Sequence, residues 1–478
     1  MEALICGSCK KEKPISEFTK SNRGKGKGLC RECKKTRDAE HRLKKEKENS
    51  QLKHFKLIPD MISRKNTRAR IGVLILERIH DRGNAKDFIQ QSNQGLNAIL
   101  NELCEPHEYC KAEFINSYEF VLVSLTSVMD VENLIYTMEK FAPSEIKAKI
   151  IIGGFGVINI KLLLPYIDIA VFGRAEGQIN DIIAGARFSN TWSKQDDPQL
   201  QGRYAIRQPR YLVKGEAGIG CRNKCRFCQY TYIRKALNSN QKYNPGTQLN
   251  IQETDWAGLT IGEAGRYTSA WDGWSEETRR KVAKPITDSD IINKLLEIDN
   301  KHIKGAVNIK VFQIVGYPWE TAESVQHDIS KAGIMLKEID SQINTKILLA
   351  FLCTPFGPEP LTPMQYDTGD INTNWREVID NTEVYKGKNI TAFITPVISG
   401  PFTLMKRMFI HRAETAEIEI FKAIAFDSRL KRLPERWKVP WLLKHGYIDS
   451  AMFGQIDKAA FDYLYIERVG GGVKSLQD

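Results

Sequence analysis

Gly218-Ile219-Gly220-Cys221-Arg222-Asn223-Lys224-Cys225-Arg226-Phe227-Cys228 is the stretch on which the reading of this chain turns. Three cysteines fall within eight residues, spaced C-x3-C-x2-C, with an aromatic before the last. The chain has 478 residues and ten cysteines, and its first residues, Met1 to Cys6, have no apolar h-region. Clustered cysteines in a chain without a secretion signal read as metal ligands and not as disulfides. No apolar run approaches the roughly 18 residues of a membrane span. A soluble cytoplasmic protein with no membrane partner is therefore expected.

The cysteine triad resembles the signature of the radical S-adenosylmethionine (SAM) superfamily. The resemblance implies that Cys221, Cys225 and Cys228 hold three irons of a 4Fe-4S cluster, leaving the fourth iron for SAM. A three-cysteine zinc site or an inert cluster is the alternative. Phe227 and two later segments extend the resemblance. Leu259-Thr-Ile-Gly262-Glu263-Ala264-Gly265 reads either as a strand end that binds the SAM amino group or as the P-E-A-G-S segment of cobalamin-type members. That second segment is followed by a pattern like Arg279/Arg280 and Lys284-Pro-Ile-Thr287. Glu263 is a SAM ligand under both readings, and under the second the barrel is shorter than six strands.

Asn308 to Thr321 resembles the strand that ends G-x-P-x-E-T. There Gly316 packs near the adenine and Glu320 caps the following helix. Ile347 to Pro363 resembles a strand with a P-x-P-x-T-P loop. Cys353, at that strand's end, reads as a buried thiol before a substrate contact.

Upstream, Ile71–Leu76, Phe120–Ser124, Ala148–Ile152 and Ile167–Phe172 are short apolar runs separated by helix-like stretches. This rhythm implies a parallel sheet with helices on both faces, whose ligands bind at the carboxyl ends of the strands. Those ends carry Arg78 to Gly83, Ser124-Leu-Thr126, Gly153-Gly154 and Gly173 to Gly177. The layout resembles the cobalamin-binding domain, which carries D-x-H-x-x-G after its first strand.

That resemblance implies His80 as a cobalt ligand, with Gly83, Ser124, Thr126, Gly153, Gly154, Gly173 and Glu176 around the cofactor. Arg78 stands where the family has the Asp that orients the His. His80 also reads as a pocket-lining or plain loop histidine, and Gly153-Gly154 as a tight turn. Middle-domain cysteines number only two, Cys104 and Cys110, which argues against the second cluster of methylthiolating relatives.

At the N-terminus Cys6-Gly-Ser-Cys9 and Cys30-Arg-Glu-Cys33 form two C-x2-C knuckles, a spacing that closes four thiolates around a structural Zn2+. The segment resembles treble-clef or zinc-ribbon fingers beside DNA-handling domains. Residues 1–70 carry 21 Lys+Arg and 9 Asp+Glu, so the whole net charge of +12 sits there. Arg23, Lys25, Lys27, Lys34 and Lys35 are the expected phosphate contacts. Protein docking is the competing use of the finger.

The expected fold class is α/β in four parts: finger and basic helix (1–56), Rossmann-like cobalamin-type domain (68–190), partial radical SAM (β/α) barrel (205–400), and a mostly helical extension (401–478) in which Pro434 and Pro440 break the helical pattern. The expected function is a cobalamin-dependent radical SAM C-methyltransferase on nucleic acid or a nucleotide, with a flavodoxin- or ferredoxin-type reductant. A radical rearrangement or cyclisation, a non-catalytic nucleic-acid-binding module, and a peptide or small-metabolite substrate are its rivals.

Overall fold

The computed structural model describes residues 3–5, 12–14, 70–79, 85–88, 94–141, 143–208, 218–219, 221, 223–233, 237–238, 251–252, 256, 259, 261–262, 265–302, 305–370, 372–380, 382–395, 400–448 and 462–467. Two compact units divide the chain, residues 1–67 and 68–478. In the first, Ala3–Ile5 pairs antiparallel with Glu12–Pro14, so Cys6 and Cys9 fall between two paired strands. The four finger cysteines, Arg23, Lys25, Lys27, Lys34 and Lys35 lie outside the described residues.

The second unit contains two six-stranded sheets. In the first, the strands lie in the order His107–Cys110, Ile71–Leu74, Phe120–Ser124, Lys149–Gly153, Ile169–Val171 and Thr191–Ser193. The first five are parallel and the last is antiparallel. In chain order this is 2-1-3-4-5-6, the flavodoxin-type arrangement with its switch point between the first and third strands.

Alternation along the strands feeds two cores. Ile71, Val73, Phe120, Leu122, Ile151 and Val171 face one side, which is covered by Gln94–Glu102 and Ile179–Ile183. Val121, Val123, Ile150, Ile152 and Ala170 face the other. There Asp130–Met138 supplies only part of the cover. Much of the rest comes from the chain's far end, through Met405, Met408 and Phe409 of Pro401–Arg412, Phe421 and Ile424 of Ile418–Phe426, and Leu442 of Glu435–Lys444. Lys406 ion-pairs with buried Glu132 at 2.7 Å, and Asn159 Nδ2 donates to the carbonyls of Ile410 and Ala413. Leu464–Ile466 runs parallel to Tyr204–Ile206. The tail is thus part of the first sheet's core.

Three local expectations change. The run Ile71–Leu76 breaks after Leu74, and Leu76–Ile79 turns into a hairpin with Ala85–Phe88, pairing Arg78 with Lys86. The start of the segment read as a cofactor loop, Arg78 and Ile79, is therefore paired strand. His80 and Gly83, between its strands, lie outside the described residues. Pro440 sits inside helix Glu435–Lys444 and does not end it. Its own lost N–H costs one hydrogen bond, and the residue is exposed.

In the second sheet Ile251–Gln252, Arg266–Ala270, Ala306–Val315, Lys346–Pro355 and Ile390–Ile394 are parallel neighbours, with Glu383–Lys386 antiparallel at the edge. Val307, Ile309, Val311, Leu349, Phe351 and Ala392 bury one face against Asp288–Lys301 and Ala322–Asp340. Both helices begin with a reciprocal cap, Thr287 with Asp290 and Thr321 with Ser324. The opposite face, including Asn308, Lys310, Phe312 and Leu352, stays exposed or half-buried. Among the described residues the sheet is open, and no ring of strands closes. No helix among them is long and apolar enough to cross a membrane.

Candidate functional site

The cysteine loop lies between Gly218–Ile219 and the short helix Gln229–Ile233. It rests on an antiparallel pairing of Gly218–Ile219 with Leu237–Asn238. Its centre is clamped from two sides: Arg226 N–H donates to Val282 O (2.9 Å), and Met364 N–H donates to Arg226 O (3.2 Å). Cys228 N–H donates to Cys225 O (3.1 Å), closing a tight turn between the last two cysteines. Gln229 is buried and donates from Nε2 to Pro360 O (3.1 Å).

Phe227 packs with Tyr317, ring centres 6.2 Å apart, and Tyr317 stacks on Trp319 and abuts Phe356. The loop is therefore seated on an aromatic floor. Tyr317 Oη donates to Asp272 O (2.9 Å).

Cys225 is 5% exposed. Burial pushes its thiol up to about 12, against the pull of the nearby Lys284 ammonium. Lys284 is itself buried and sits 2.7 Å from Asp272 Oδ2. Burial alone would lower its pKa, but Asp272, Cys225 and Cys221 outweigh that and hold it above its usual value. Three thiols on one clamped loop beside a fixed cation fit an iron–sulfur cluster in donor chemistry. Such thiols ionise only when a metal compensates them.

Among the described residues no three His, Cys, Asp or Glu side chains are already drawn together as a metal cage. Closure of the loop would accompany metal uptake, as usual for sites whose donors are ordered by the ion. Glu263 lies outside the described residues.

Two neighbouring positions do something other than expected. Gly316 has φ +75°, and a Cβ there would meet Trp375 Nε1 at 2.6 Å, so its bareness serves packing against that ring. Glu320 does not cap the next helix, since Thr321 does. Its carboxylate accepts from the N–H of Tyr317 (3.1 Å) and of Gly316, folding the G-x-P-x-E turn onto itself. Burial raises its pKa to about 7. Cys353 is fully buried among Val311, Phe351 and their neighbours, and its thiol is pushed strongly up by burial.

The positions named for cobalamin separate into two groups. Ser124 and Gly153 pair at the ends of adjacent strands, and a Cβ on Gly153 would meet nothing within 4 Å. Thr126 lines a cavity, although its N–H and Oγ1 both bond Asp130 Oδ2 at 2.7 Å. By contrast Gly154 (φ +112°) is packed against Leu125 O, 2.3 Å from its absent Cβ, and Gly173 (φ +78°) against Arg207 O at 2.4 Å. Glu176 is buried in an ion pair with Arg174 at 2.7 Å, and Arg207 bonds the carbonyls of Arg174 and Glu176. The crevice that would take a cofactor's tail is thus filled by the chain itself. The space beside Gly154 and Gly173 is about 10 Å3. In this arrangement the described residues do not fit a corrinoid beside Gly154 and Gly173.

Open space lies elsewhere. A cavity of about 320 Å3 is bounded by Thr126 and Ser127 at the first sheet's switch point, Phe155, Gln229 next to the last cluster cysteine, Glu359 of the Pro358-Glu-Pro360 loop, and Arg407 of Pro401–Arg412. Glu359 ion-pairs with Arg407. His411, one turn on and 1% exposed, has Nε2 3.2 Å from the second Glu359 oxygen. Burial and then the Arg407 charge hold His411 well below its ordinary pKa, so it is a neutral imidazole. Burial lowers Arg407 to about 10, still a cation at neutral pH.

Sequence reasoning missed Gln229, Glu359, Arg407 and His411 as site residues. A charge held between two prolines was the available signal. The i, i+4 spacing of Arg407 and His411 on an amphipathic helix carries none by itself.

No family profile matches the chain, and no curated protein matches it. Solved structures similar at a low level include the following two. The radical S-adenosylmethionine methyltransferase TsrM from Kitasatospora setae, with cobalamin and a 4Fe-4S cluster bound, is 12% identical with a TM-score of 0.42, over 84% of this chain and 94% of that one. The cobalamin-dependent S-adenosylmethionine radical enzyme OxsB, in its apo form, is 10% identical with a TM-score of 0.33, over 83% of this chain and 65% of that one. Likeness at this level fixes neither fold nor function.

Proposed function

We propose that the chain is a radical SAM enzyme with a cobalamin-type accessory domain, and that it methylates a carbon of nucleic acid or a nucleotide. One observation carries this reading: Gln229, which follows the last cysteine of the triad, and Thr126–Met129, at the switch point of the flavodoxin-order sheet, line the same cavity. A cluster on Cys221, Cys225 and Cys228 would therefore sit beside the space into which the first domain's ligand end opens. When bound, the cluster with SAM supplies a carbon-centred radical able to take hydrogen from an unactivated carbon.

The chain's own residues do the rest. Cys221, Cys225 and Cys228 hold the irons. Lys284, fixed by Asp272, places a buried positive charge beside the thiolates and offsets their repulsion. Gln229 ties the loop to Pro360 and so fixes the cysteines relative to the cavity wall. Phe155, Pro355 and Leu404 give the cavity apolar wall, which limits the groups a radical could attack. No step is assigned to cobalamin, because the crevice at Gly154 and Gly173 is closed. Corrinoid uptake would need the Arg207 segment to part from Gly173. The charge concentrated in residues 1–70 supports the nucleic-acid substrate.

Anaerobic reconstitution with iron, sulfide and hydroxocobalamin tests the reading. Four irons per chain, with 5′-deoxyadenosine formed from SAM under reduction, are expected, and one corrinoid per chain if the Arg207 segment parts from Gly173. Iron and 5′-deoxyadenosine without corrinoid remove the methylation and leave radical rearrangement. No 5′-deoxyadenosine overturns the enzyme reading.

A further inference from the structure

We propose that the 320 Å3 cavity binds a neutral planar heterocycle by its lactam edge, with the ring N–H donated to Glu359 and the adjacent C=O accepting from Arg407. This rests on the reading of the cavity as the active site and names the part of the substrate that enters it.

Charge comes first. Glu359 and Arg407 are paired across the cavity wall, and His411 behind them is neutral, so the wall carries no net charge. An anionic ligand group would face Glu359 and a cationic one Arg407. A group with a donor beside an acceptor satisfies both without stranding either charge. The guanidinium fork has five N–H donors and the carboxylate about four acceptor sites, so their mutual pairing leaves capacity on each.

The second observation is His411. It is 1% exposed, neither ring nitrogen makes a hydrogen bond, and Nε2 lies 3.2 Å from Glu359 Oε2. Buried polar atoms are rarely left unbonded. A small rotation of the Glu359 carboxylate toward the cavity would bring it into line with an Nε2–H, so the imidazole is placed to brace Glu359 while it accepts from a ligand. His411 is therefore a positioning residue.

Shape agrees. Met129, Phe155, Pro355 and Leu404 supply apolar wall suited to the faces of a flat ring, and threonines, Ser127 and Gln229 line the rest. Phe155 is held in place by Tyr230, ring centres 5.5 Å apart. The volume lies at the low end for small-ligand sites, enough for a single base and not for a base pair. A base in a nucleic acid would have to leave its stack to enter.

The experiment is calorimetric titration of the full chain with inosine and with N1-methylinosine, which differ only at the lactam N–H. Inosine is expected to bind at least about tenfold more tightly, the size of one lost buried hydrogen-bond partner. Arg407→Lys, which keeps the charge and loses the fork, is expected to weaken inosine by a similar factor. Equal binding of the two nucleosides overturns the proposal, as does no inosine binding at millimolar concentration. One-for-one displacement of inosine by hydroxocobalamin also overturns it, since the cavity would then belong to the corrinoid. Iron content and 5′-deoxyadenosine formation on the same preparation separate the two readings. Both present without inosine binding sinks this inference alone, whereas inosine binding without either sinks the enzyme reading alone.

Discussion

The two six-stranded sheets bury their faces differently, and the difference locates the chemistry. The first is covered on both faces, and its central strands Phe120–Ser124 and Lys149–Gly153 are apolar nearly throughout. Its ligand end is also closed in part, because Gly154 and Gly173 accept the backbone of Leu125 and Arg207 where a cofactor was expected. Among the described residues the second is fully covered on one face only. Ala306–Val315 and Lys346–Pro355 alternate buried and half-buried residues along ten positions each. Space for a ligand is therefore found where the open sheet's strand ends meet the switch point of the closed one. A parallel sheet alone does not mark a binding site; a strand end that its own chain leaves uncovered does.

Removing a thiol from the open side should have the largest effect. Cys225→Ser is expected to abolish cluster retention and 5′-deoxyadenosine formation, read by iron analysis and product chromatography. Lys284→Met should come next. It leaves Asp272 buried without its cation, at a cost of about 3–5 kcal/mol in denaturant unfolding. If it unfolds at the wild-type midpoint, the ion pair is not what seats the loop.

On the closed side, Gly154→Ala should lose about 1–3 kcal/mol, through positive φ and contact with Leu125 O. Gly153→Ala, one residue earlier, should stay within about 0.5 kcal/mol. Equal costs would break the contrast between a glycine that serves packing and one that faces space.

The last expected effect is a slope with pH and not a fixed cost. Glu320, ordinarily near 4.5, is raised to about 7 by burial, so the folded state favours its protonated form. Its stabilising contribution is complete below about pH 4.5 and is lost as pH rises through about 7. Glu320→Gln should remove that part of the decline, seen by comparing urea midpoints of variant and wild type at about pH 5 and pH 8.

Much of this was legible in the chain because the signals are local. Cys221, Cys225 and Cys228 lie within one turn-rich loop, and their spacing needs no tertiary information. The strands Phe120–Ser124 and Lys149–Gly153 were visible as short β-branched runs between polar stretches. The hairpin at Leu76–Phe88 was not, because Leu76 continues the apolar run and only backbone pairing reveals the break at Ile75. Glu320 looked like a cap since it precedes a helix, yet Thr321 was the better cap and Glu320 turned back on Gly316 and Tyr317. Glu359 and Arg407 meet from positions 48 apart, and nothing in either neighbourhood announces the other. Gly154, Gly173 and Gly316 were read as close approaches to a cofactor, whereas the atoms nearest them are backbone carbonyls and a tryptophan.

The pairing of Leu464–Ile466 with Tyr204–Ile206, and of Tyr463 Oη with Ile158 O at 2.5 Å, has a consequence for biogenesis. The first sheet is translated early, but the helices and strand that cover one of its faces are translated last. While the ribosome makes the intervening two hundred or so residues, Val121, Val123, Ile150 and Ile152 lack the part of their cover that Pro401–Arg412, Ile418–Phe426 and Glu435–Lys444 supply. The nascent chain therefore carries an unsealed apolar surface through most of its synthesis, a natural client for a chaperone. A truncation near residue 400 should leave that surface bare.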